Sequence, residues 1–159
     1  MTDFDLLSRL AVALAIGLLA GIERGWHTRD EEDHRRAAGF RTFAISGLLG
    51  GVAGAISLKT GPVVLGLVFA GYALGLTVFY WLEARATQNL SATSLVAGLL
   101  TFALGAYAVV GDLPPAIAAA VAMTVLLALR EPLHRWVESL TWAEVRPVLI
   151  LLAMTFLLL

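Results

Sequence analysis

Three apolar runs of this chain finish on the same two residue types: Glu23-Arg24, Glu83-x-Arg85 and Arg130-Glu131. A fourth run opens on Arg41-Thr42. Charges this close to hydrocarbon are expensive unless they are paired or face water. If the runs pack side by side, the carboxylates and guanidiniums gather at one rim. Two chemistries fit such a rim: a site that handles a cation or a proton, or an ion-pair collar that fixes helix ends at the interface. The other polar features are plainer. His27, Asp30, Glu31, Glu32, Asp33 and His34 have the types of divalent-cation ligands. Yet Glu31–Arg35 and Glu32–Arg36 are i,i+4 pairs in the favourable order, which reads as a solvated helical turn. Thr93 and Thr101 share a helical face, by packing or by lining a path. Arg9 is four residues after Asp5 and reads as an outer anchor that snorkels away from the core. No serine–histidine–aspartate set, glycine-rich phosphate loop or HExxH motif occurs, so enzymatic activity is not expected.

The elements that must position these charges follow from composition. Of the 159 residues 59% are hydrophobic and 14% charged, and the mean hydropathy is +0.84. A soluble domain carries about 25% charged residues, so this surface cannot be water-facing throughout, and disorder is excluded for the same reason. The class is a polytopic membrane protein. With no cysteine there are no disulfides and no thiolate ligands, and a net charge of −1 offers no basic field for nucleic acid.

Six apolar runs are expected as transmembrane helices. Thr2-x-x-Asp5 is a capping box that opens the first, which continues to residue 22. The others cover 42–58, 62–82, 92–110, 116–129 and 141–159. Lys59-Thr60-Gly61-Pro62 is a tight turn, and Pro114-Pro115 suits a first helical turn. Pro132 ends the fifth run. Leu133, Trp136, Val137 and Leu140 then follow the spacing of a short helix lying in the interface plane. Thr141-x-x-Glu144 caps the sixth run, which stops inside its apolar stretch, so the chain reads as the front part of a longer protein. The expected fold is an all-α bundle of about six spans. Residues 1–140 form the first domain, and 141–159 either start a second or are a truncated end.

Nine of the eleven basic residues (Arg24, Arg29, Arg35, Arg36, Arg41, Arg85, Arg130, Arg135 and Arg146) follow the odd-numbered runs. The positive-inside rule places that side in the cytoplasm and the N-terminus outside. All four tryptophans fall at the same boundary, as an aromatic belt does. Small residues recur every four positions: Gly17 and Gly21, Gly47 and Gly51, Gly71 and Gly75. Such rows let helix backbones approach, within a protomer or across a homodimer or membrane-partner face.

Gly17-x-x-x-Gly21-Ile22-Glu23-Arg24-Gly25-Trp26, a charged loop, and then Ala38-Gly39-Phe40-Arg41-Thr42-Phe43-Ala44 resembles the signature of the MgtC/SapB family. That signature is a glycine-rich first helix ending Gly-x-Glu-Arg, then Ala-Gly-aromatic-Arg-Thr. Arg-Gly-Trp here, and Arg-Glu-Pro-Leu after the fifth run, are similar to members with a second multispan domain of unknown function. The resemblance implies a bacterial inner-membrane protein linked to magnesium limitation and ion homeostasis. It raises Glu23 and Arg41 to leading candidates. They lie on consecutive helices on the same side, so a direct ion pair between them is geometrically easy. Where relatives of this subtype are expected to open the fourth helix with Thr-Thr-Glu, this chain has Thr93-Ser94-Leu95. The expected function is a transporter or channel domain for magnesium, another cation or protons, with no cofactor beyond a bound cation. The alternative is a non-transporting regulator that binds a membrane partner through glycine-rich faces.

Overall fold

The computed structural model describes residues 2–27, 39–87, 92–129, 132, 135–136 and 139–158. Among these residues the chain is all helical. In order the helices are α1 (Asp3–His27), α2 (Phe40–Thr60), α3 (Pro62–Thr87), α4 (Ala92–Val110), α5 (Leu113–Ala128) and α6 (Trp142–Leu158). The first four are long and apolar enough to cross a membrane, and α5 is a shorter apolar helix. Two compact units divide the chain, residues 1–127 and 128–159. Arg130, Glu131, the charged loop from residue 28 to 38 and most of the expected interfacial helix lie outside the described residues.

Local chemistry sets the ends. The Thr2 hydroxyl accepts from the Asp5 backbone N–H at 3.2 Å and caps α1. The Asp5 carboxylate takes no part in that cap and pairs with Arg9. Between α2 and α3 the chain reverses at Gly61, whose φ of +98° favours glycine, and its N–H closes on the Ser57 carbonyl at 2.8 Å. Helix α5 begins at Leu113, three residues earlier than expected. Pro114 and Pro115 sit where helical N–H groups have no partner anyway. In the second unit the Thr141 N–H and hydroxyl both donate to the Glu144 carboxylate at 2.8 Å, which forms the carboxylate half of the expected capping box, while the Glu144 N–H donates to the Thr141 carbonyl. Helices α1 and α3 extend one to two turns past their apolar runs. Nothing in Glu23-Arg24-Gly25-Trp26 or Glu83-Ala84-Arg85-Ala86 breaks a helix outright, so the charged ends stay helical.

The first unit is built on α2, which packs against α1 and α4, while α1 also packs on α4. Glycines bring these backbones into contact. A methyl group at Gly17 would strike the Phe43 carbonyl, and one at Gly47 the Ala13 carbonyl. One at Gly50 would strike the Phe102 carbonyl, and one at Gly105 the Gly47 carbonyl. Around that seam Ala13, Ile16, Ala20, Phe43, Leu104 and Ala108 form the apolar core. Helix α5 adds Ala116, Ala120, Met123 and Leu127, one face at helical spacing. Helix α3 lies at the margin. It packs on α2 and less on α4, and Leu76 is its one buried residue among those described.

Arg9 does not snorkel outward. Its guanidinium Nη1 donates to the carbonyls of Ala108 at 3.1 Å, Val109 at 3.4 Å and Gly111 at 2.7 Å, while Nε holds Asp5. It therefore caps the C-terminus of α4, where free carbonyls and the helix dipole favour a cation.

The seam predicts a contrast between two glycines. Gly105→Ala forces backbone against backbone and should lower stability by about 1–3 kcal/mol, read as earlier thermal unfolding in detergent. Gly71→Ala meets open space and should leave the midpoint unchanged or slightly raised.

Candidate functional site

The last turn of α1 carries the most costly charge in the first unit. Arg24 is 4% exposed overall, and the side chains of the Arg24–Glu23 pair are 5% and 9% exposed. The pair is bidentate: Arg24 Nε donates to one Glu23 oxygen at 2.5 Å and Nη2 to the other at 2.8 Å. Side chains one residue apart on a helix project in different directions, so spacing alone gives no reason to expect this pair. The long arginine side chain bridges the gap, and the fork geometry rewards it. Both charges are thereby withdrawn from solvent at the end of a span.

Tyr80 of α3 joins this end of the bundle. It lies close to Ser94 near the start of α4 and within electrostatic reach of Glu83 and Arg24. Glu23 and Arg24 of α1, Tyr80 and Glu83 of α3 and Ser94 of α4 thus lie toward the same end of the bundle. Glu23, Arg24 and Glu83 all have further interactions. That end includes part of the expected rim. Arg85 instead lies over the Trp81 ring at 3.8 Å, a cation–π contact at the interface. Arg41 is exposed at the head of α2, and Glu23 takes Arg24 in its place. Thr42 is half-buried and gives its carbonyl to the Ser46 hydroxyl at 2.6 Å.

A second polar group lies deeper. The Tyr72 hydroxyl reaches Ser46 Oγ at 2.7 Å and the Gly98 carbonyl at 3.2 Å. Phe102 stacks on Tyr72 with ring centroids 4.9 Å apart, and Phe69 is tilted against Phe102 at 5.5 Å. Tyr72, Tyr80 and Ser46 carry no motif that marks them in the sequence. The available signal was the i, i+4, i+8 spacing of Tyr72, Leu76 and Tyr80 in an otherwise apolar run. Thr101, the other hydroxyl residue in question, is fully buried and donates to the Ala97 carbonyl of its own helix at 2.7 Å. Its role is packing.

The glycine rows divide. Gly17, Gly21, Gly47 and Gly51 are in the α1–α2 contact, and Gly71 and Gly75 of α3 have nothing within reach. Among the described residues no group of three histidine or acidic side chains gathers to hold a metal ion.

Long apolar helices around a buried ion pair define a multi-pass helical membrane protein. Residues 10–136 match the MgtC family, and the chain belongs to it. No curated protein and no solved structure matches the chain.

The paired charges make a testable asymmetry. Arg24→Gln strips the Glu23 carboxylate of its bidentate partner and should cost about 3 kcal/mol of stability. The double change Glu23→Gln with Arg24→Gln should recover most of that loss in the same detergent melt.

Proposed function

We propose that this protein serves ion homeostasis from the bacterial inner membrane as a transporter or channel. In this reading the Glu23–Arg24 pair, with Tyr80, Glu83 and Ser94, forms the cytoplasmic mouth. The observation that carries it is the near-complete burial of a bidentate ion pair at the end of a membrane span. Apolar side chains of similar volume commonly hold such a place as well or better. Charge at this position therefore serves something besides packing, and ionisable groups inside spans characteristically mark ion or proton pathways. Glu23 offers the carboxylate that meets the cation or proton. Arg24 competes for it, so an arriving cation displaces the guanidinium without leaving the carboxylate bare. Magnesium surrenders its waters reluctantly and needs only one or two carboxylates, which suits one carboxylate at a mouth better than a closed cage. The family is linked to magnesium homeostasis, which makes Mg²⁺ the first ion to test, with protons second.

The second reading is a regulator that binds a membrane partner and passes no ion. One observation favours it. Helix α3 leaves Gly66, Gly71 and Gly75 open beside exposed Leu67, Leu74 and Val78, which is a surface that a partner helix can approach closely. The glycine rows of α1 and α2 are already occupied within the chain.

Three measurements follow. Glu23→Gln should cut Mg²⁺ or proton flux in reconstituted vesicles by about tenfold or more, with helicity retained. Unchanged flux sinks the transport reading, and Gly71→Leu abolishing partner association would favour the regulator. For orientation, the chain has no native cysteine, so single cysteines report without background. In intact spheroplasts an impermeant thiol reagent should label Lys59→Cys and spare Trp26→Cys.

A further inference from the structure

Helix α3 is apolar and largely exposed, with Val63, Leu67, Leu74, Val78 and Leu82 all facing outward. Against that background one leucine is out of place. Leu76 is 6% exposed and is the buried residue of the helix among those described. Its seat is Gly98 of α4: a β-carbon there would come within 2.7 Å of Leu76 Cδ2, and within 3.6 Å of the Tyr72 hydroxyl. Leu76 lies halfway between Tyr72 and Tyr80, which are eight residues and about 12 Å apart along one helix face.

Those two tyrosines belong to separate polar groups. Tyr80 lies near Ser94 and within electrostatic reach of Arg24 and Glu83. Tyr72 meets Ser46 and the Gly98 carbonyl. Past Tyr72, toward the ends where α3 begins and α4 finishes, an apolar groove of about 380 Å³ lies between the two helices. Pro62 and Val110 line it, and Phe69 and Phe102, the ring stacked on Tyr72, also belong to its wall. One helix face thus carries, in order, a charged mouth, an apolar plug, a half-buried hydroxyl pair and a groove. Pure packing explains a buried leucine. It does not explain hydroxyl and charged groups on both sides of that leucine on the margin helix of a membrane bundle.

We propose that the seam between α3 and α4 is a water-lined proton passage, and that Leu76 is its closed gate. An apolar constriction stops conduction by excluding water, and it opens when the side chain withdraws or shrinks. Because α3 is lightly packed, moving Leu76 off Gly98 disturbs few other contacts. The passage deepens the transport reading and rests on it, since it leads inward from the mouth formed by Glu23 and Arg24.

The test uses the full chain in vesicles holding a trapped pH dye, with a potassium diffusion potential as the driving force. Leu76→Ser and Leu76→Ala should each raise the proton leak about tenfold over the wild type. Leu76→Met, which keeps the bulk, should stay tight. Adding Tyr72→Phe to Leu76→Ser should lower the leak again. Should Leu76→Ser fail to fold, Leu76→Ala gives the same readout with no buried hydroxyl. Folded Leu76→Ser and Leu76→Ala proteins in vesicles as tight as the wild type overturn the gate, as does a leak that Tyr72→Phe leaves unchanged. The two readings separate cleanly. Wild-type flux lost in Glu23→Gln, with no leak in the Leu76 variants, removes the gate and leaves transport standing. A protein that passes no ion, Leu76 variants included, removes the transport reading and the passage with it.

Discussion

The contact on which the first unit depends is backbone against backbone, where α2 runs between α1 and α4. Lipid tails are as apolar as leucine, so burying apolar side chains inside a bilayer gains little over leaving them in lipid. What remains is close van der Waals packing, and that requires the side chains to be absent where the axes cross. Gly47 is touched from both sides, by Ala13 of α1 and by Gly105 of α4. Everything else in this unit is arranged around that crossing: the alanine-rich core, the face of α5 that joins it, and the position of α3 at the edge.

Tight closure at the crossing determines where polar chemistry can be. With α1, α2 and α4 in contact, hydroxyls within the seam bond back to their own helices, as Thr101 does to Ala97 and Ser57 to Gly54. Among the described residues, polar groups bridge helices where Tyr72 of α3 meets Ser46 and Gly98, and where Arg9 of α1 clasps the end of α4. The two roles are thus spatially separate. Small residues hold the centre, while charge and hydroxyl groups collect along the looser margin and at the ends of the bundle.

Much of the architecture was legible in the sequence. The apolar runs, the turn at Gly61-Pro62 and the caps at Thr2 and Thr141 are local signals, and local chemistry decided them. The first fifty residues also carried the family motif. Partner choice was less legible. Their shared boundary makes a Glu23–Arg41 pair easy to draw, and the structure pairs Glu23 with Arg24, the next residue, since burial at the α1 end acts on whichever side chain can reach. The glycine rows looked equivalent as sequence, yet those of α1 and α2 meet backbone while that of α3 meets open space. Periodicity states that a face exists and is silent on what lies opposite. Tyr72, Tyr80 and Leu76 were hidden for a related reason: one or two polar atoms in a long apolar run barely register in hydropathy, and their weight comes from neighbours on other helices.

The clasp made by Arg9 has a consequence for how the protein is built. Its acceptors lie 99 to 102 residues further along the chain. At about 5–20 residues per second of synthesis, the guanidinium waits several seconds, with Asp5 as its local companion, before those carbonyls emerge. The α1–α2 hairpin can close early, because its contacts are near in sequence. Locking the N-terminal end of α1 is a late step, made only when the fourth helix arrives, so the start of the chain is among the last parts of the first unit to be fixed.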